Sequence, residues 1–249
     1  MIIREFLCIH ESGTVLFHRK YQTGNSTDII LRSGLISALY NYATAVENDA
    51  IDILQMSKVS LFFKKREQPL LFVIFIESTI NPQWCEKEID HLLERFFTKF
   101  PEVMWQREVV DLATFDSFAE DADEILLPLG KKITLLLFLL EDGLLTEEEY
   151  LQEGLDTLGR KIGNRLLEKH HESFKQALSK GQNFVLARID QLIMQLDGEH
   201  VKREDLKYFL YCNECYFCKI EKGGCFFEEF LSSLLSSMGI DEVEINIID

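Results

Sequence analysis

Four of the six cysteines of this chain are crowded into one short stretch, where their thiolates could bind a metal ion together. They are Cys212, Cys215, Cys218 and Cys225, and they form a C-x2-C-x2-C-x6-C array. A turn between Cys215 and Cys218 brings three sulfurs within ~2.3 Å of a common centre, which is the Zn–S distance of a structural zinc site. This spacing predicts a structural Zn(II) site made by the four cysteines.

Three other states of these thiols fit the same residues. The first three cysteines partly match the spacing of iron–sulfur ligands, although the Cys-Pro that follows in ferredoxin-type patterns is missing. Free cysteines also pack as small apolar residues, here beside aromatic neighbours such as Tyr211 and Phe226. A disulfide is disfavoured in a cytosolic protein, where thiols are kept reduced. Cys8 and Cys85 fall on a predicted strand and a predicted helix and are interpreted as buried thiols.

No pattern in the chain indicates catalysis. His170 and His171 are adjacent, so that on a helix their rings point about 100° apart and cannot easily share a metal. The acidic run 147–149 fits the positive N-terminal end of a helix better than it fits acid catalysis. The motifs of phosphate-binding loops, dinucleotide folds, zinc proteases and serine hydrolases are absent from the sequence. We therefore expect a protein that is not an enzyme.

The charge balance limits the partners. The 249 residues include 26 basic and 42 acidic side chains, a net charge of −16. This argues against duplex nucleic acid, which needs a basic face, and disfavours anionic membrane surfaces. No stretch is long and apolar enough to span a bilayer, and the start lacks a secretory pattern. We expect a cytoplasmic protein with at most peripheral membrane association.

Two local charge features refine this expectation. Residues up to Phe118 include 12 basic and 16 acidic side chains, whereas those from Ala119 onward include 14 and 26. The composition break predicts two domains, 1–118 and 119–249. The basic cluster 64–66 falls at a predicted hairpin tip, where it either solvates the turn or contacts an acidic partner or lipid headgroups.

The first domain alternates strand and helix patterns. Strands are predicted at 2–10, 14–21, 51–56, 58–64 and 69–77, and helices at 29–43 and 84–100. Asp28 is in the position of a helix N-cap. The run at 69–77 is so apolar that it belongs in the middle of a sheet covered on both faces.

The second domain is mainly helical. Helices are predicted at 122–140, 146–179, 183–196 and 226–238, followed by a strand at 243–248. Thr146 and Glu149 form a capping-box pattern, and Gly239 fits a helix C-terminus. Gly159 and Gly163 lie four apart on one helix face, where each costs about 1 kcal/mol against Ala. Two such losses predict close packing of a neighbouring helix; the alternative is that both glycines simply face solvent.

Both domains resemble modules of membrane-trafficking proteins. The order β-β-α-β-β-β-α, with an opening hairpin that turns at Ser12-Gly13, is similar to the longin domain of vesicle-trafficking proteins and small-GTPase regulators. The stretches 155–167 and 225–239 are similar to the Bet-three-like subunits of the TRAPP tethering complex and to 4-vinyl reductase sensor domains. The resemblance implies an α+β chain: a longin-like domain with a five-stranded antiparallel sheet and flanking helices, then a mainly α Bet-three-like domain with a short terminal strand.

The resemblance also implies a function. It indicates a non-enzymatic adaptor, tether or regulatory subunit of a TRAPP-like assembly that acts with small GTPases and other longin or TRAPP-like subunits, as a homo- or hetero-oligomer. An apolar patch on helix 29–43 or on helix 226–238 would serve for docking. The alternative is a sensor of a small hydrophobic ligand with structural zinc. No cysteine lies between Glu168 and Ile193, so the covalent acylation of some Bet-three-like proteins is not expected.

Overall fold

The structure is a computed structural model that describes residues 2–22, 28–47, 50–65, 69–102, 111–152, 155–196, 198, 200–212, 215 and 225–248. The chain divides into two compact units, Met1–Gly130 and Lys131–Asp249. Helix α3 (Ala119–Glu141) runs through the point of division, and the domain boundary predicted after Phe118 stays a prediction. Among the described helices, none is both long and apolar enough to cross a membrane.

The first unit is built on a five-stranded sheet. Its strands are β1 (Ile3–His10), β2 (Val15–Lys20), β3 (Ile53–Gln55), β4 (Val59–Lys65) and β5 (Leu70–Glu77). They lie in the order β2-β1-β5-β4-β3, and every neighbouring pair is antiparallel. The apolar strand β5 is central and almost wholly buried, as its composition predicts.

Helices cover both faces of this sheet. Helix α1 (Ile29–Tyr42), continued by a π-helical turn (Ala43–Glu47), packs on one face. Helix α2 (Glu86–Lys99) follows a 3-10 turn (Pro82–Cys85), and a second 3-10 segment (Leu112–Phe118) leads into α3. The face away from α1 is aromatic, since Phe72 stacks on Phe6 and meets Phe96 edge to face.

The second unit is mainly helical with a small sheet. Its elements are α4 (Glu147–Gln152), α5 (Leu155–Lys169), α6 (His171–Lys180), α7 (Gln182–Gln195), β6 (Val201–Glu204), β7 (Lys207–Tyr211), α8 (Phe226–Ser237) and β8 (Glu244–Ile248). The sheet order is β6-β7-β8, with β8 parallel to β7. The α+β class, the antiparallel first sheet and the terminal strand are confirmed.

Two features of the second unit differ from the sequence prediction. The single helix predicted at 146–179 is three helices, and α5 gives way to α6 at His170, whose backbone leaves the helical region (φ −106°, ψ 18°). The hairpin β6-β7 was not predicted, because four charged residues in 202–205 obscure the strand pattern. Asp205, at φ 52°, makes its turn.

Candidate interaction surface

Helix α1 lies on the sheet by one face. Its N-cap is Asp28, whose carboxylate accepts a hydrogen bond from the backbone N of Ile30 at 2.9 Å, as the sequence predicts. Ile36 and Tyr40 are buried in an apolar cluster with side chains of β1, β4 and β5. The Tyr40 ring stacks on Phe63 of β4, with 6.0 Å between the ring centroids. The helix is thus firmly seated by its inner face.

The outer face of the same helix is apolar and exposed. Large side chains on it have exposed fractions of 39% to 76%. We call these residues the α1 surface: Ile30, Leu31, Leu35, Leu39, Tyr42 and Val46. Together they expose roughly 600 Å² of side chain, at the upper end of the largest apolar patch on a typical monomer, which is often functional. The patch expected on helix 29–43 is therefore present.

Two small residues lie within the α1 surface. Gly34 and Ala38 are four positions apart, and both are exposed. A Cβ atom placed on Gly34 would have no heavy atom of the described residues within 4 Å. Glycine inside a helix costs about 1 kcal/mol against alanine, and no close packing within the described residues accounts for that cost.

The one charged residue between Ile29 and Val46 turns away from this surface. Arg32 reaches the carboxylate of Glu5 on β1, and its guanidinium lies 5.0 Å from the centroid of the Phe75 ring. His18 on β2 contacts the same carboxylate at 2.5 Å. Burial by itself would raise the pKa of Glu5, but the hydrogen bonds from His18 and Arg32 hold that pKa below its ordinary value. This cluster around the buried Glu5 carboxylate tethers α1 to the sheet.

The Glu5 tether was missed at the sequence level, although the sequence carries a sign of it. Glu5 alternates with Ile3, Leu7 and Ile9, so it is a charged residue at an inward-facing strand position. Such a carboxylate needs hydrogen-bond donors, and these come from His18 on β2 and Arg32 on α1. Their identity could not be read from sequence spacing, because Glu5 and Arg32 are 27 residues apart.

The other predicted docking helix, α8, has no comparable patch. Its apolar side chains are buried in the core of the second unit: Phe226, Phe227, Phe230, Leu231, Leu234 and Leu235. They face α5, where a Cβ on Gly159 would meet the carbonyl oxygen of Phe226 at 2.3 Å. The close helix packing predicted from Gly159 and Gly163 is confirmed, and α8 is a core element.

The predicted metal ligands are only partly within the described residues. Cys212 is half-buried, Cys215 and Cys225 are buried, and Cys218 lies outside the described residues. The backbone N of Cys215 donates to the carbonyl oxygens of Tyr211 and Cys212 at 3.2 Å. Within the described ranges no three His, Cys, Asp or Glu side chains gather as metal ligands. The four-cysteine zinc site therefore stays a prediction.

The basic cluster at 64–66 is partly engaged within the first unit. The Lys64 ammonium donates to Glu86 at 2.7 Å, and the Lys65 ammonium lies 5.5 Å from the Tyr40 ring centroid. Arg66 lies outside the described residues. Lys64 is thus already neutralised by an acidic neighbour on α2.

Comparisons with known proteins give weak and partial matches. No protein-family profile and no curated protein matches the chain. It is similar to a solved structure of MglB in a tetrameric arrangement (17% identity, TM-score 0.28, covering 31% of this chain and 62% of that one). It is similar to the gliding protein mglB of Thermus thermophilus (16%, TM-score 0.29, 32% and 64%). A third match is the mammalian SRP receptor (19%, TM-score 0.35, 53% and 97%). The chain spans less than two thirds of the length of both MglB structures, and likenesses of this size establish neither a family nor an activity.

Proposed function

We propose that this chain is a non-enzymatic interaction protein: an adaptor, tether or regulatory subunit that acts with small GTPases in a TRAPP-like assembly of the cytoplasm, peripheral at membranes. The single observation that carries the proposal is the α1 surface. A helix that is apolar on both faces belongs between two layers, and the described residues supply only the layer beneath. The second layer is then a partner.

The topology of the first unit supports the kind of partner. Its five-stranded antiparallel sheet and its flanking helices are those that the longin resemblance implies, and longin domains occur in regulators of small GTPases. Small GTPases are the partner class that this resemblance implies, together with longin or TRAPP-like subunits. Within the described ranges, no observation favours the alternative of a hydrophobic-ligand sensor.

The proposal is tested with the purified full chain and a panel of small GTPases from its host, loaded with GDP or with a non-hydrolysable GTP analogue. We expect direct binding to one of them that depends on the nucleotide, or a change of about tenfold in its nucleotide exchange or hydrolysis rate. Calorimetry and fluorescent-nucleotide release measure these. If no member of the panel binds or changes its rate, the GTPase proposal is wrong.

The predicted four-cysteine zinc site has a separate test. Structural zinc requires about one equivalent in protein purified without chelator. Metal analysis that finds less than a tenth of an equivalent would remove the zinc site and leave the GTPase proposal unchanged.

A further inference from the structure

We propose that the partner of the α1 surface is the α1 surface of a second copy of this chain, in an antiparallel helix pair around a two-fold axis near Ala38. The inference rests on the proposed role of the α1 surface as an interaction face, and it names the occupant. Symmetric dimers use one self-complementary patch on both copies. The α1 surface has the size, the charge and the residue pattern for such a contact.

The size is sufficient for a dimer. Each copy exposes roughly 600 Å² on the α1 surface, so that two facing copies would bury roughly 1,200 Å², the lower limit for specific and stable interfaces. The stripe from Ile30 to Val46 covers 17 residues, or about 25 Å of helix at ~1.5 Å per residue. In an antiparallel pair, the apolar stripe of each copy is then long enough to cover that of the other from end to end.

The charge distribution favours the α1 surface over most other faces as the contact between two copies. A chain of net charge −16 repels its own copies, and acidic surfaces cannot be brought together cheaply. The α1 surface carries no charged side chain, because Arg32 is turned toward Glu5. Two copies can therefore meet on this face without placing like charges opposite each other.

The order of small and large residues is self-complementary in the antiparallel direction. Gly34 and Tyr42 each lie four positions from Ala38, on opposite sides. A two-fold rotation near Ala38 brings Gly34 of one copy to the level of Tyr42 of the other. Small residues at a crossing let helix axes approach closely, and the absence of a side chain at Gly34 leaves room for the partner's Tyr42 ring. This gives Gly34 a packing partner that the described residues of its own chain do not supply.

Sedimentation velocity of the full chain tests the proposal. Wild-type protein is expected to be a dimer at micromolar concentration, and Leu35→Glu is expected to weaken dimerisation about 30-fold or more, since it buries an unpaired charge. Leu178→Glu is the matched control, because Leu178 is also an exposed helical leucine, 50% accessible, but lies on α6. It should leave the dimer intact. A monomeric wild type, or a Leu35→Glu variant that remains dimeric, overturns the proposal.

Cross-linking tests the geometry without depending on a destabilised variant. A residue on a two-fold axis meets its own copy, so Ala38→Cys should form an interchain disulfide rapidly under mild oxidation, above the background of the wild-type cysteines. Leu31→Cys should not, because the two copies of position 31 would lie about 21 Å apart along the pair, beyond the reach of a disulfide. Equal cross-linking at both positions, or none at Ala38→Cys, contradicts the antiparallel pair.

The outcomes separate this inference from the proposed function. A monomer that binds a small GTPase keeps the function and removes the α1 dimer. A dimer of the expected geometry that binds no GTPase keeps the dimer and removes the function.

Discussion

Helices α1 and α5 carry the same kind of sequence pattern but have opposite surroundings. Each has two small residues four positions apart, Gly34 and Ala38 in one and Gly159 and Gly163 in the other. A Cβ on Gly159 would collide with the backbone of α8, whereas a Cβ on Gly34 would contact no residue in the described part of the chain. Small residues at this spacing therefore mark where a helix can be approached closely, and a second observation is needed to tell whether the approaching helix is in the same chain.

The two helices are alike in how they are held. Glu149 of α4 forms a bidentate pair with Arg165 of α5, at 2.6 and 2.7 Å, and Glu5 of β1 contacts Arg32 of α1. In both cases a carboxylate on a neighbouring element pairs with an arginine of the helix. The two helices are thus held in the same way, and they differ in whether another helix packs on their small residues.

The largest expected effect is at the covered glycine. Gly159→Ala should lower the free energy of unfolding by about 3 kcal/mol, because the new methyl group meets the Phe226 carbonyl oxygen and the backbone of α8 must move. Urea unfolding followed by far-UV circular dichroism measures this. Gly163→Ala is the graded control, since its closest contact is 3.0 Å, and it should cost less. A Gly159→Ala variant as stable as wild type would show that α8 does not pack on α5 as closely as described.

The two faces of α1 should respond differently to truncation at adjacent positions. Ile36→Ala removes a side chain that is 3% exposed in the sheet-facing cluster and should cost about 2 kcal/mol. Leu35→Ala removes one that is 61% exposed and should change the stability of dilute protein by less than about 0.5 kcal/mol. Both tryptophans precede Gly130, so tryptophan fluorescence follows the unfolding of the first unit. Equal losses would mean that the outer face of α1 is already covered within the chain.

The Glu149–Arg165 pair, which holds α5 against α4, should make the free energy of unfolding depend on pH. Hydrogen bonds from Arg165 and Thr146 lower the pKa of Glu149 from 4.5 to about 2. A lowered pKa contributes stability that is complete above the unfolded value and is lost as the pH falls toward the folded one. Glu149→Gln should therefore cost about 1 to 2 kcal/mol at neutral pH, and its difference from wild type should shrink below pH 4.5.

The Glu149 experiment also has a defined failure. Urea unfolding of both proteins between pH 7 and pH 3 gives the difference at each pH. A difference that stays constant across this range would show that the pair with Arg165 does not lower the pKa of Glu149. The same direction is expected for Glu5 in the first unit, because its pKa is also below the ordinary value.

The sequence predicted most elements of the fold and only one side of the candidate surface. Apolar, β-prone runs located the strands of the first sheet, and apolar residues at three-to-four spacing located helix α1. This spacing did not show that α1 is apolar on its outer face as well, because apolar residues at three-to-four spacing are typical of an amphipathic helix with one buried face. It did not reveal that Arg32 leaves that face, since its partner Glu5 is 27 residues distant and only the register of β1 brings it near. The hairpin β6-β7 was missed for a similar reason. Its strand positions carry charged residues such as Arg203 and Lys207, whose ion-pair partners Asp190 and Glu244 lie on other elements.

The smallest effect gives the sharpest contrast between the two helices. Gly34→Ala should raise the stability of the dilute, monomeric chain by about 0.5 to 1 kcal/mol, because alanine is the better helix former and the new methyl group meets nothing. The same substitution should weaken self-association in sedimentation velocity, since the methyl group occupies space that the antiparallel pair reserves for the partner's Tyr42. A gain of stability with unchanged association would show that Gly34 is not at a helix crossing. A loss of stability in dilute protein would show that Gly34 is already covered by its own chain, as Gly159 is.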